Sequence, residues 1–183
     1  MIDIYTDRLH IRYAKISDAD DVQEYFNNWE IIKWLRYPVP YPYPEDGALT
    51  YLQNEVPKIG KELYKFAILE KSTNKVIGLI RYEMGNINGI KHAERGFSLS
   101  EDHWHKGIMN EASTATNDFM FKNTDIDRII AYNAKSNDAS ANIKKKQGFV
   151  PNGYRTTESP YHNGDEIEQK WFLSRENHLN LIK

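Results

Sequence analysis

Apolar and polar residues alternate in "TDRLHIRYA", where Leu9, Ile11 and Tyr13 are set against Arg8, His10 and Arg12. That period of two predicts a strand. The pattern then lengthens in "ISDADDVQEYFNNWEIIKWL": Ser17 or Asp18 caps a helix with acids in its first turn, and Val22, Tyr25, Phe26 and Trp29 follow at helical spacing. Pro38, Pro40, Pro42 and Pro44 in "YPVPYPYPED" exclude both helix and sheet interior, so this is an extended loop, either a stiff connector or a wall of a pocket. A second helix is expected from Pro44, with Ala48, Tyr51, Leu52 and Val56 on one face. "LYKFAILE" and "KVIGLIRYE" then read as a hairpin around "KSTN", and "NING" (86–89) turns into a third strand, "IKHAERGFSLS". Gly96 inside that strand marks a bulge or a close backbone approach. A helix is expected from about Asn110 to Phe121, with Ala112, Ala115, Phe119 and Met120 inward; "DRIIAYNA" is a buried strand. "SNDASANIKKKQGF" is a short helix capped by Ser136 or Asn137 and ended by Gly148. "FVPNGYRTT" and "EIEQKWFLS" close the chain as a hairpin around "HNGDE". The order predicts one α+β domain over residues 1–183, mostly antiparallel, with strand–helix–strand units in its second half.

Composition narrows the chemistry. The net charge of −2 gives no basis for a nucleic-acid or membrane-surface partner, and no apolar run approaches a bilayer's thickness. The first ten residues lack the basic and apolar regions of a signal peptide. The absence of cysteine excludes disulfides, thiolate metal sites and cysteine nucleophiles, and makes the cytoplasm the expected compartment.

The segment "HWHKGIMNEA" (103–112) carries the clearest chemical signal. Gly107 precedes a helix whose first amides lack intrahelical acceptors. A glycine there lets an anion approach, so the amides of Gly107, Ile108, Met109 and Asn110 can hold a diphosphate, with Lys106 adding a mobile charge. The same pattern also serves as a plain turn, and it matches neither the nucleotide triphosphate loop nor the triple-glycine dinucleotide fingerprint. His103 and His105, near His92, have no placed third ligand, so no metal is expected. "GFSLS" falls short of a hydrolase elbow because Ser100 replaces its last glycine.

Context favours the anion reading. The chain resembles the GCN5-related N-acetyltransferase superfamily, and within it the ribosomal-protein N-terminal acetyltransferases of the RimJ/RimL type. The resemblance is carried in order by "TDRLHIR", "YPVPYPYPEDGALTYL", "AERGFSLSEDHWHKGIMNEA", "NDASANIKKKQGF" and "NGDEIEQKWFLSRE". It implies a mixed sheet of about seven strands flanked by helices, with a splayed strand pair forming the cleft for acetyl-CoA. It implies transfer of acetyl to a primary amine, either a protein N-terminus or a small metabolite, by direct attack in a ternary complex. Two departures stand out: His105 occupies the place of a second glycine and Met109 that of a small residue, so both put bulk in the loop.

The resemblance also suggests roles. The splayed strand would offer Phe97, Ser98, Leu99 and Ser100 to the thioester and pantetheine, and the loop would add His105. Glu94 would take the amine's proton, unless it is a structural partner of Arg81 or Arg95. The tyrosine that many relatives place four residues before the glycine-phenylalanine pair is here Lys144, expected to face solvent. Ser140 would then relay a proton to the sulfur or merely fill the helix; Asn137 would bond the pantetheine arm or cap the helix. Lys144 to Lys146 form a solvated face, with Lys146 within reach of the coenzyme's 3′-phosphate. Tyr37, Tyr41, Tyr43 and Tyr161 would line the acceptor pocket or equally just pack. Other readings are a non-catalytic acyl-CoA-binding module and an aminoglycoside-type acetyltransferase, the latter hinted at by Asp165, Glu166 and Glu168. Oligomeric state is open, a homodimer included.

Overall fold

Strand β3 (Leu63–Glu70) shows how the fold is built. Phe66 and Ile68 enter one apolar cluster, while Ala67 and Leu69 enter another on the opposite face. A strand buried on both sides has no polar face, which is why its sequence is nearly continuous in apolar residues. The computed structural model describes residues 2–157, 161 and 167–181. Around β3 lie β1 (Asp3–Tyr5), β2 (Leu9–Tyr13), β4 (Val76–Ile87), β5 (Ile90–Leu99), β6 (Arg128–Ala134), β7 (Val150–Thr156) and β8 (Ile167–Ser174). They form one sheet in the order β1-β2-β3-β4-β5-β6-β8-β7. Every neighbouring pair is antiparallel except β5–β6, which is parallel and joined through a helix. The expected count of about seven becomes eight with the short edge strand β1.

The helices are α1 (Ala19–Phe26), α2 (Trp29–Ile32), α3 (Gly47–Glu55), α4 (Ile108–Asn123), α5 (Asp138–Lys146) and α6 (Arg175–Leu181). Val22 of α1 with Ala48 and Leu52 of α3 cover one face of the sheet. Ile108, Met109, Ala112, Met120 and Phe121 of α4, with Ala141 of α5, cover the other.

Three expectations change. The first helix is not continuous: Asn27 ends α1, and the Asn28 side chain caps α2 by accepting from the Glu30 N–H at 2.8 Å. Two successive asparagines compete with the helical backbone for its own hydrogen bonds. The second helix starts at Gly47 rather than Pro44, whose carbonyl accepts from the Gly47 N–H. Gly96 carries no bulge, because the β4–β5 register runs unbroken from Gly78↔Leu99 to Ile87↔Ile90. The "NING" turn is as expected: Asn88 and Gly89 both adopt positive φ, as a two-residue hairpin requires. The predicted "HNGDE" turn (162–166) lies outside the described residues.

Candidate active site

The parallel pairing of β5 with β6 runs only from His92↔Arg128 to Arg95↔Ala131. Beyond it, β5 remains paired to β4 as far as Leu99, and β6 remains paired to β8 as far as Ala134. The two strands therefore diverge from Gly96 and Tyr132 onward, so their facing edges no longer pair with each other; the Leu99 carbonyl instead accepts from Trp104 Nε1 at 2.9 Å. The Ser100 N–H donates to Ile77 O at 2.8 Å. Amides in an antiparallel ladder alternate in direction. Ser98 and Ser100 therefore face β4, while the Phe97 and Leu99 N–H groups point into the gap. This halves the expected set of four. The Ser98 hydroxyl has a different partner, Tyr25 Oη at 3.1 Å.

After β5 the chain makes a 3-10 turn (Glu101–His103), passes through His105 at φ +59° and enters α4 from Gly107 at φ +75°. Glycine adopts that conformation without steric cost; histidine holds it at a cost of about 1 kcal/mol or more. The backbone at 105 thus keeps the shape a glycine would supply, and the imidazole is exposed. Met109 is buried in the core below α4, so its bulk leaves the loop rather than filling it. No side chain caps α4, and its first amides have no intrahelical acceptor. Lys106 is exposed beside them.

The loop is held from a distance. Arg8, in the β1–β2 turn, donates from Nη1 to Lys106 O at 2.8 Å and from Nε to Glu111 Oε2 at 2.7 Å; its Nη2 is also 2.7 Å from that oxygen. The Thr6 hydroxyl donates to Glu111 Oε1 at 2.5 Å and the Arg8 N–H to the same atom at 3.1 Å. Burial acts to raise the Glu111 carboxyl, but the hydrogen bonds from Thr6 and Arg8 outweigh it and hold the group below its usual range. The alternation of "TDRLHIR" predicted a strand for these residues; the strand starts only at Leu9, so Thr6 and Arg8 sit in the turn before it, and the pattern named no partner for either.

On the face covered by α1 and α3, Glu94 accepts from Arg36 Nη1 at 2.8 Å and lies 3.7 Å from Arg155 Nη2. The expected partners are not used. Arg95 is adjacent in the strand and so projects to the other face; Arg81 pairs with Glu83 at 2.9 Å and Glu55 at 3.5 Å. Arg155 rests on the Tyr132 ring, 3.2 Å from its centre, and donates to Glu168 at 2.6 Å. The acidic-pocket reading therefore loses Glu168 to an ion pair, and Asp165 and Glu166 lie outside the described residues. Trp29 meets Tyr41 and Tyr161 at ring distances of 5.5 and 5.1 Å, and Arg36 lies over Tyr37. Tyr43 instead packs on Phe26 and against Gly47.

Helix α5 closes the other side. Asn137 caps it by accepting from the Ser140 N–H at 3.0 Å. The lysine run divides: Lys145 and Lys146 are exposed, but Lys144 is 1% exposed, contrary to the expectation of solvent. Helical spacing explains this, since Lys144 shares the inward face with Ala141. Its Nζ donates to Ser140 Oγ at 2.6 Å and lies 5.8 Å from the Phe97 ring centre. Arg95, 3% exposed, is held between Phe149 and Phe97 and donates to Asn117 Oδ1 at 3.1 Å and Gln147 Oε1 at 2.7 Å. Among the described residues no group of three or more histidine or acidic side chains is placed to hold a metal ion, and no helix is long and apolar enough to cross a membrane.

Three comparisons bear on this arrangement. The family model described as Acetyltransferase (GNAT) domain matches residues 8–150. The chain is 27% identical to the [ribosomal protein uS5]-alanine N-acetyltransferase of Escherichia coli, over 81% of this chain and 78% of that protein. The crystal structure of the ribosomal-protein-S5-alanine acetyltransferase from Vibrio fischeri superposes with a TM-score of 0.84 at 23% identity, covering 96% of this chain and 98% of that one. Spermidine N-acetyltransferase from Vibrio cholerae, solved with CoA and spermine, gives 0.78 at 20% identity, covering 96% and 100%.

Proposed function

The chain belongs to the GNAT acetyltransferase family and is an acetyl-CoA-dependent N-acetyltransferase, and we propose that it acetylates a primary amine, foremost a protein N-terminus, by direct attack in a ternary complex. Acetyl-CoA brings the activated thioester carbon; the chain's residues position it and the amine.

One observation carries the reading: the stretch of β5 that has parted from β6 leads to the uncapped start of α4 through a loop of eight residues, 100–107, whose shape Arg8 and Glu111 fix. The amides of Ile108, Met109 and Asn110, with Lys106 nearby, supply the donors and positive potential that a diphosphate needs. The Phe97 and Leu99 amides are donors for the pantetheine and for the oxygen on which charge develops; one such donor lowers a barrier by about 3 kcal/mol. Asn137 keeps its Nδ2 group for the pantetheine arm while its Oδ1 caps α5. Lys146, exposed at the end of α5, is our candidate for a contact to the 3′-phosphate.

Glu94 orients the acceptor amine, between guanidinium groups that fix its carboxylate. The uS5-directed relative and the exposed aromatic rim of Trp29, Tyr37 and Tyr41 favour a peptide N-terminus. The spermidine enzyme of the same fold makes polyamines the second set of acceptors to assay.

Thermal melting with acetyl-CoA tests the site. At 100 times the dissociation constant, binding stabilises by about 2.7 kcal/mol. Gly107→Pro and Gly107→Glu should lose that shift; if they retain it, the diphosphate is held elsewhere. Thiol release with peptides bearing free or blocked N-termini, and with polyamines, then identifies the acceptor.

A further inference from the structure

We propose that Lys144 is the acid that returns a proton to the coenzyme sulfur as the thioester breaks. This rests on reading the β5–β6 gap as the acyl site. Lys144 lies beside that gap, under α5: its Nζ is 5.8 Å from the centre of the Phe97 ring, and Phe97 belongs to the stretch of β5 that has parted from β6. A lysine on a solvated helix face has no need to be there, and Lys145 and Lys146 on the same helix remain outside.

The lysine is buried without a carboxylate in hydrogen-bond contact. Its Nζ donates to Ser140 Oγ at 2.6 Å and Ser140 O at 3.3 Å. Two of its three N–H groups are thereby aimed, leaving one free for a further acceptor. Ser140 therefore serves as the holder of the donor, and its own Oγ is already accepting. The charged groups that act on Lys144 from the packed elements are Arg95 on β5 and Glu168 on β8. Burial and then Arg95 press the proton off, while Glu168 retains it, so the ammonium lies well below its ordinary range. An ordinary lysine, at about 10.4, is a poor proton donor to a thiolate of about 8.5, and the lowering by burial makes this ammonium a stronger acid than that.

The step balances. The acceptor nitrogen's lone pair forms the new N–C bond, and the C–S bond breaks with its electron pair on sulfur. Lys144 Nζ gives one proton to that sulfur. The nitrogen releases its surplus proton to water and Lys144 regains one from water, leaving amide and thiol.

Lys144→Met removes the proton and retains the apolar stem. Its acetyl-CoA affinity by calorimetry should stay within about threefold, while kcat falls by roughly 10²-fold or more. A readout independent of turnover is the thiolate absorbance of bound CoA against pH. Loss of a neighbouring ammonium should move its onset up by about 1 pH unit or more. The chain has no cysteine, so Lys144→Cys introduces a unique thiol that 2-bromoethylamine converts to a lysine analogue with a more acidic ammonium. That product should regain activity with the alkaline limb of kcat moved to lower pH, a shift that a merely space-filling lysine would not cause. The inference is overturned by Lys144→Met turning over within threefold of the parent, by an unmoved thiolate onset, by rescue with an unmoved alkaline limb, or by an acetyl group found on Lys144 itself. Failure of the parent chain to bind acetyl-CoA would instead remove the site reading beneath it.

Discussion

Arg8→Met severs the tie between the β1–β2 turn and the loop before α4. The pair it breaks is a fork onto Glu111 Oε2 at 2.7 Å from both Nε and Nη2. The Arg8 side chain is 48% exposed, so solvent screening brings the pair down to about 1 kcal/mol. The Nη1 bond to Lys106 O adds about 1 kcal/mol, giving a loss of roughly 2 kcal/mol in stability. The larger consequence is for binding. Glu111 stands four residues into the helix from Gly107, roughly 6 Å of rise, and without the Arg8 guanidinium its charge would act uncompensated on a diphosphate at the proposed site. At that range and water-like screening each pair of like charges costs about 0.7 kcal/mol, so a doubly charged diphosphate loses about tenfold in affinity. Calorimetry with acetyl-CoA measures this directly. The double variant Arg8→Met/Glu111→Gln should recover most of the affinity without recovering the stability, because the repelling charge is gone and the staple is still missing. Unchanged affinity in Arg8→Met would refute the reasoning. The sign with pH is fixed: Glu111 is held below its ordinary value in the folded state, so its contribution is present above about pH 4.3 and is lost as pH falls through the lower folded value. Acid denaturation should therefore begin at higher pH in Arg8→Met than in the parent.

Other outcomes follow from the same geometry. Glu94→Gln should raise the acceptor KM by about tenfold and leave that of acetyl-CoA unchanged, since it removes charge on the acceptor face only; steady-state kinetics with each substrate varied separate the two. Lys65 is fully buried, 3.0 Å from Glu55 and 3.7 Å from the centre of the Tyr51 ring, so Glu55→Ala should destabilise by about 3 kcal/mol in urea unfolding, by stranding its charge. Burial lowers that lysine to about 8, so its contribution to stability rises with pH between about 8 and the unfolded value of 10.5, and a Lys65→Met variant should lose that rise.

Much of the sheet was legible because alternation is local. Leu9, Ile11, Phe66 and Ile68 declare their faces from neighbours one or two residues away. The entry into α4 was legible at Gly107, but a glycine before a helix also serves as a plain turn, and only the order of the neighbouring segments favoured an anion site. The staple was not: Arg8 and Lys106 are 98 residues apart, and nothing near either indicates the other. Glu94 could be placed in its strand, but its partners come from Arg36 and from Arg155 on β7, which only the strand order brings together. Lys144 was hidden by its company, because a run of three lysines reads as a wet surface. Its helical phase with Ala141 was the available signal, and it is weaker than the charge pattern that masks it.

The histidine at 105 has a thermodynamic side. A glycine there would adopt the left-handed geometry freely, but it would also visit many others. A β-carbon narrows that wandering, so a coenzyme held at the proposed site would meet a corner already folded into shape and give up less entropy on docking. His105→Gly would trade rigidity for ease, relieving the strained residue and loosening the receptor.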